Sequence, residues 1–577
     1  MRKQFLKAIS FALASSITVG ALQTAGAVTN TADSQMTDNS WKVSESLRDL
    51  IVSSNDDTAI PTIIWLNDIS QEKIQTQASE IAFTKAKSIC NNYKLSNHFS
   101  LVDEFESSLQ DNSSEYEVYV NQLINTERQL AKSEYEEYIA DFVTEYIPDD
   151  QIIFQSSYAP MVIASLLPIE IDELANAPIV SDLSEYVEME NVEDEETMNN
   201  DRAFGLIDSI KGNSSYFGTG AGIKIGQIES DIPDVSNSDL KNSNIHILSN
   251  DASKDSHATN MARFMVGING MAPDATLYCV DMSDFFGNIE MLIDNGVNVI
   301  NMSTGYTSSA SLGKYAPRAK WIDHLAANHH VAFVKSAGNR GNEDKLITAP
   351  GMAYNAITVG NVDEYPEIHL DIHSSTDEDD GIADKPDFTM IGGGSSQASA
   401  ITTGIVALMM EKKPALKNST RIIKALLAAG SIKEDESTHT AIGNTGSIMT
   451  DECGAGFINP YRACSSAYFT KTISTTSVTY NTTTTRTAGQ RYRVSIAWHA
   501  NSSSDCNGTV NSVSMNQYEL KVYQGSTLVT TLSNSIGHNN NLLAAEFLAV
   551  SNKPFSFVIN RTSGTETDGV CVAYKSI

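Results

Sequence analysis

Hydrophobic positions change their spacing twice along this chain. Residues 28–200 begin polar and reach a first apolar run at Ile60–Leu66, a strand candidate, with Asp68 and Ser70 behind it as helix N-cap candidates. From Gln71 to about Ile147 the chain is rich in Glu, Lys, Gln and Leu and almost without Gly or Pro, a pattern that predicts long helices. After Pro148, the runs Gln151–Phe154 and Met161–Leu166 read as strands, Pro168 opens a short helix through Ala175, and the segment closes on Glu193-Asp194-Glu195-Glu196. An α/β module followed by an acidic linker is expected here.

Residues 203–465 have a different rhythm. Short apolar runs recur at Ile223–Ile228, Thr276–Val280, Val297–Met302, Val331–Val334 and Ala356–Val359, with helix-like segments at Ala258–Val266, Pro317–Asn328 and Ser399–Lys412. Strands apolar along their whole length that alternate with helices predict a doubly wound, mostly parallel α/β sheet covered on both faces. In that architecture chemistry sits at the C-terminal ends of the strands. From Tyr468 helical spacing vanishes: Val494, Ile496 and Trp498 alternate with Arg493, Ser495 and Ala497, and Tyr518, Leu520 and Val522 repeat the pattern, as do Phe555, Phe557 and Ile559. A small β-sandwich of about 110 residues is expected.

The N-terminus adds an address. Arg2, Lys3 and Lys7 precede an apolar run from Ala8 to Leu22, and Ala25-Gly26-Ala27 matches a small-x-small cleavage site, the pattern of a secretory signal peptide. An uncleaved anchor helix fits less well, because Ser15, Ser16 and Thr18 interrupt a short core. No later stretch reaches about 18 consecutive apolar residues, so no membrane span is expected in a mature chain. The expected division is residues 1–27 signal peptide, 28–200 N-terminal module and linker, 203–465 α/β domain and 468–577 β-sandwich.

Composition narrows the function. Hydrophobic residues make up 41% of 577, enough for about three to four domains and too much for a disordered chain. The formal charge of −32 argues against nucleic-acid binding, which needs clustered Lys and Arg. Residues 31–200 hold 34 of the 71 acidic side chains and only 8 basic ones, so a cut after this segment would remove most of the net negative charge. The six cysteines, at 90, 279, 453, 464, 506 and 571, lack the close pairing of a zinc site. An exported chain can keep disulfides, and Cys506 with Cys571 is the first pairing expected, Cys453 with Cys464 the second. Cys279 reads as a small buried hydrophobe.

Three stretches of the α/β segment carry candidate chemistry. Lys224-Ile225-Gly226-Gln227-Ile228-Glu229-Ser230-Asp231 is a strand ending on a carboxylate; Asp255-Ser256-His257-Ala258 puts a His at the start of a helix; Gly393-Gly394-Ser395-Ser396-Gln397-Ala398-Ser399 delivers a Ser from a glycine turn to another helix. A serine hydroxyl becomes a nucleophile when an imidazole takes its proton and a carboxylate holds that imidazole in the right tautomer. Acyl transfer also needs donors for the developing oxyanion, and the Asn339 amide in Ala337-Gly338-Asn339-Arg340-Gly341, with the Ser396 N–H at a helix N-terminus, would supply two.

Order and local pattern together resemble the subtilisin-like serine peptidases over residues 203 to about 465. The family's Gly-Thr-Ser-x-Ala-Ser appears as Gly394-Ser395-Ser396-Gln397-Ala398-Ser399, its Lys-Pro-Asp as Lys385-Pro386-Asp387, its Asn motif as Ser336-Ala337-Gly338-Asn339, and its substrate-lining strand as Asn301-Met302-Ser303-Thr304-Gly305; Met271–Tyr278 is similar as well. The resemblance implies an exported serine endopeptidase made as a zymogen, acting on polypeptides through an acyl-enzyme on Ser396. His257 would be base and then acid, Glu229 its orienting carboxylate and Asn339 an oxyanion donor. Substrate would pair with Ser303, Thr304 and Gly305, with Thr348, just before Pro350, near the base of the pocket for the residue preceding the scissile bond. Residues 161–187 resemble the end of a propeptide that acts as chaperone and inhibitor, with cleavage expected between about Glu196 and Ala203; the helical stretch 71–147 would be an insertion in it. The C-terminal sandwich resembles those appended to other secreted members, with stability as its first expected role and carbohydrate or cell-surface binding as the alternative.

Two departures keep alternatives open. Where the family's first strand usually ends Ile-Asp-x-Gly, this chain has Ile228-Glu229-Ser230-Asp231, so the orienting acid is a Glu, with Asp231 on the same side of the strand as the weaker candidate. The usual His-Gly-Thr-His is His257-Ala258-Thr259-Asn260. These changes leave room for a pseudopeptidase, a secreted binding or adhesion protein on the same fold. No cofactor is required for the chemistry. The family often binds structural calcium, for which Asp377-Glu378-Asp379-Asp380 is the candidate, although its irregular spacing fits a solvated loop better.

Overall fold

The structure is a computed structural model that describes residues 42–90, 114–187, 200–211, 217–249, 252–308, 311–363, 368–376, 383–433, 446–500, 515–534, 539–565 and 567–577. The signal peptide, the linker from 188 to 199, the acidic run 377–380 and Cys506 lie outside the described residues.

Alternation of apolar strands and helices produces the expected sheet. Strands β5 (Lys224–Glu229), β6 (Asn244–Ile247), β7 (Thr276–Asp281), β8 (Val299–Met302), β9 (Ala332–Ser336), β10 (Ile357–Val362) and β11 (Phe388–Ile391) form one seven-stranded sheet in the order β11-β10-β9-β8-β5-β7-β6. Every recorded pairing in it is parallel. From β5 the chain passes to the edge strand β6, returns to β7 between them, then crosses to the other side with β8, so β5 and β8 flank the point where strand order reverses. Such a reversal opens a crevice at the carboxyl ends, the usual place for ligands. Strands β6 and β11, and the helices Phe285–Asp294 and Thr420–Gly430, lie outside the runs read from the sequence.

The N-terminal module is a four-stranded antiparallel sheet, β2-β3-β1-β4, from β1 (Ile60–Leu66), β2 (Ile152–Gln155), β3 (Met161–Leu166) and β4 (Val180–Glu185). The Gly- and Pro-poor stretch forms two helices within the described residues, Gln71–Cys90 and Ser114–Tyr146. Ile63, Trp65, Met161 and Ile163 share one continuous core with Phe285, Phe286, Ile289 and Trp321 of the parallel-sheet domain. Charged groups pin the same boundary: Arg128 donates to Val297 O at 2.8 Å and His329 O at 2.8 Å, Lys132 pairs with Asp294 at 2.7 Å, and buried Lys320 pairs with Asp182.

The C-terminal region is the expected sandwich, a five-stranded and a four-stranded antiparallel sheet. One feature differs from the alternation read in the sequence. Strand Arg491–Trp498 is buried on both faces, because its polar face packs on the helix Thr420–Gly430: Ser495 Oγ donates to Ala425 O at 2.7 Å, and buried Arg493 bonds Ser431 O and Glu546. The joint continues through Asn355, which exchanges bonds with Ala500 at 2.8 and 3.1 Å. The Cys453–Cys464 bridge is not formed; Cys464 is a half-buried free thiol, its pKa pushed up to about 11 by burial.

Asp387 of the Lys-Pro-Asp motif ties strand β11 to this joint. It is buried and accepts from Lys385 Nζ at 2.7 Å, Lys424 Nζ at 2.8 Å and Thr358 N at 2.8 Å. Burial opposes its ionisation, but the two ammonium groups hold the carboxyl below its ordinary 3.8. Removing it strands two buried lysines, so Asp387→Ala should cost about 3–5 kcal/mol in urea unfolding. In the parent protein that contribution is present above pH 3.8 and fades as pH falls through the depressed value.

Candidate active site

Strand β5 carries Ile225 and Ile228 into the core and ends with Glu229, whose side chain is 1% exposed. The helix Ser256–Val266 starts at the neighbouring loop because the Asp255 side chain accepts from Ala258 N at 2.7 Å, an N-cap that sets His257 in the first turn. Gln227 Nε2 donates to Ala258 O at 2.8 Å, which clamps strand to helix one turn from the site. Glu229 Oε2 lies 3.2 Å from His257 Nδ1, while His257 keeps 24% exposure. The acid is therefore dry and the imidazole reachable, the arrangement in which a carboxylate controls a tautomer without meeting the ligand. At this distance the two groups form an ion-pair contact, and Glu229 Oε2 makes no hydrogen bond.

Asn301, at the end of β8, holds this acid in place. Its Nδ2 donates to Glu229 Oε1 at 3.3 Å and Ser303 Oγ at 2.9 Å, and its Oδ1 accepts from Ser399 Oγ at 3.0 Å and Thr403 Oγ1 at 3.1 Å. Both acceptor partners sit on the helix Ser395–Lys412 that bears Ser396. The bond Ser303 Oγ to Ser396 O at 2.9 Å completes the tie between strand end and serine turn. Sequence reasoning placed Asn301 in a motif without a role; a fully buried amide inside the apolar run Val297–Met302 was the available signal.

Ser396 is buried in the first turn of its helix, and its Oγ donates to Ser303 O at 2.9 Å. For the hydroxyl to pass its proton to an imidazole, it must leave that carbonyl. Ser395 N donates to the Asn339 Oδ1 at 2.9 Å and Gly338 N donates to Ser395 Oγ at 3.1 Å, so the Asn339 turn is seated directly on the serine turn. Gly338 has φ +110°, and a Cβ there would stand 2.6 Å from Thr348 Cγ2; only Gly fits.

The predicted lining residues also meet. Tyr306 and Ala349 exchange backbone bonds at 3.0 and 3.1 Å, which brings Thr348 against Gly305, where a Cβ would lie 2.6 Å from Thr348 Oγ1. Ser303, Thr304 and Gly305 are all buried. Asp231 is not part of the cluster: its Oδ1 accepts from Ser253 N at 3.0 Å on the outer loop. Asn260, where the family has its second His, accepts from Arg263 at 2.8 Å, and Arg263 pairs with Asp239 at 2.6 Å. No cluster of His, Cys, Asp or Glu among the described residues has the makings of a metal site.

The α/β segment matches the model of the subtilase family over residues 220–456. Subtilisin E of Bacillus subtilis (strain 168) is 29% identical over 216 residues, 33% of this chain and 52% of that protein. Subtilisin DY of Bacillus licheniformis is 27% identical over 228 residues, 35% of this chain and 81% of that protein. The chain thus spans about half the length of Subtilisin E. Among solved structures, fervidolysin from Fervidobacterium pennivorans, described as a keratinolytic enzyme related to subtilisin, aligns at 13% identity and a TM-score of 0.41, over 88% of this chain and 70% of that one. Within the subtilase segment, Asn301→Leu would leave the Ser399 and Thr403 hydroxyls and Glu229 Oε1 without their buried partner. Urea unfolding in a Ser396→Ala background should register a loss of about 3 kcal/mol.

Proposed function

We propose that this chain is a secreted serine endopeptidase made as a zymogen. The observation that carries the reading is the buried Glu229 at 3.2 Å from His257, tied through Asn301 and Ser303 to the serine turn, inside the segment that matches the subtilase family. Ser396 Oγ attacks the scissile carbonyl as His257 takes its proton, and His257 then gives that proton to the leaving amine. Glu229 keeps the Nδ1 proton in place and balances the imidazolium. The Asn339 amide and the Ser396 N–H receive the oxyanion. Water, deprotonated by His257, releases the acyl group. The substrate strand runs along Ser303, Thr304 and Gly305, with Thr348 at the base of the pocket.

The N-terminal module serves as the chain's own propeptide and inhibitor. Its support is the shared core with Phe285, Phe286 and Trp321, and the Val187 carbonyl accepting from Arg318 Nη2 at 2.7 Å just before the linker. The helical pair 71–146 widens that grip through Arg128 and Lys132. Export rests on the N-terminal signal pattern and on relatives such as the Minor extracellular protease Epr of Bacillus subtilis (strain 168), 25% identical over 225 residues; no helix among the described residues is long and apolar enough to cross a membrane.

A pseudopeptidase is the second reading, favoured by the Ser396 hydroxyl bonded to Ser303 O and by a Glu229 Oε2 that makes no hydrogen bond. Intact mass and N-terminal sequencing of the secreted protein beside Ser396→Ala separate the two. The endopeptidase reading expects a parent chain beginning near residues 197–203 and a variant that retains its propeptide. Fluorophosphonate labelling should be lost in Ser396→Ala and slowed on the order of 10³–10⁴-fold in Glu229→Gln, which keeps the shape but loses the charge. A folded, processed chain that takes no label is a binding protein.

A further inference from the structure

The acyl-transfer chemistry has no use for Lys335, yet this lysine lies beside the proposed substrate strand. It is fully buried on β9, in the run Phe333, Val334, Lys335, Ser336, Ala337. Its Nζ donates to Ser336 O at 2.5 Å, Ser336 Oγ at 2.9 Å and Thr348 Oγ1 at 3.1 Å. A Cβ on Gly305 would stand 2.6 Å from Thr348 Oγ1 and 3.0 Å from Lys335 Nζ. Hydroxyl and ammonium therefore press together against the strand along which the substrate lies. Gly338 brings a further hydroxyl to the same wall, Ser375 Oγ, 2.8 Å from where its Cβ would be.

We infer that Lys335 and Thr348 make the pocket for the residue before the scissile bond selective for Asp or Glu. The inference rests on the endopeptidase reading above. A carboxylate that displaces the Thr348 side chain from beside Gly305 and Gly338 would replace the Thr348 hydroxyl as acceptor of one Lys335 N–H. That exchange converts a bond to a neutral oxygen into one between ionised groups, and the Thr348 hydroxyl, which donates to Ala337 O at 3.3 Å, can turn to donate to the second carboxylate oxygen instead. An apolar side chain at the same place offers neither group an acceptor, and an incoming ammonium meets like charge. The sequence of the expected first substrate allows such a cut: Glu196 and Asp201 are the acidic residues that can precede a scissile bond in the expected window.

The test uses the processed full-length protein and a set of internally quenched peptides that differ only at the residue before the scissile bond: Glu, Asp, Gln, Ala, Leu, Phe and Lys. The parent protein should cleave the Glu or Asp peptide with a kcat/KM about tenfold or more above the Gln isostere, the step expected between charged and neutral hydrogen bonds. Lys335→Met should bring the Glu to Gln ratio close to one. The ratio in the parent protein needs no variant, so a misfolded Lys335→Met leaves the result intact. Active-site labelling with a fluorophosphonate is run beside it. A labelled enzyme that prefers Leu or Phe, or shows no Glu over Gln preference, overturns the inference and leaves the endopeptidase standing; a protein that neither labels nor cleaves removes both.

Discussion

The buried amide of Asn301 is the contact on which the site depends. It makes one hydrogen bond to the acid, one to Ser303 and two with the serine helix, so four side chains from three parts of the site share a single planar group. A carboxylate as dry as Glu229 is costly without such a partner, because desolvation penalises its charge. The amide lowers that cost and also sets direction: with Oε1 held by Asn301, Oε2 is the oxygen presented to His257. The longer Glu side chain is thus accommodated by its anchor. At the altered His motif, Asn260 accepts from Arg263, three residues along the same helix.

The modules around the sheet are joined by more than apolar area. The N-terminal sheet contributes Trp65 and Ile163 to the core of the parallel-sheet domain, and buried charges at the boundary, Lys320 with Asp182 and Arg128 with backbone carbonyls, fix its register there. Groups of this kind hold one geometry, since any slip leaves a buried charge without its partner. The C-terminal sandwich is joined by the same logic, through Arg493, Ser495, Asn355 and the Asp387 cluster. Its strand Arg491–Trp498 is a wall between two layers, which ties the sandwich to the stability of the serine-bearing domain.

Much of this was legible in the chain as written. Apolar runs of strand length separated by helical spacing are a local signal, and they located five of the seven parallel strands. The motifs around Glu229, His257, Asn339 and Ser396 were legible too, because each occupies a turn whose glycines and caps are encoded within a few residues. Short β6 and β11 escaped because four residues of mixed polarity, such as Asn244–Ile247, carry no periodicity until a neighbour pairs with them. The fate of the polar face of Arg491–Trp498 was not legible for a similar reason: alternation reports two faces, and only the packed helix Thr420–Gly430 decides that both are covered. The roles of Asn301 and Lys335 belong to the same class. Residue type and local spacing determined the fold class and the reactive side chains, since those depend on near neighbours in sequence. Which carboxylate meets the histidine, what braces it and which cation lies beside Gly305 were decided by tertiary structure, because they depend on pairings between residues far apart in sequence, 72 apart for Asn301 and Glu229, that no window of sequence contains.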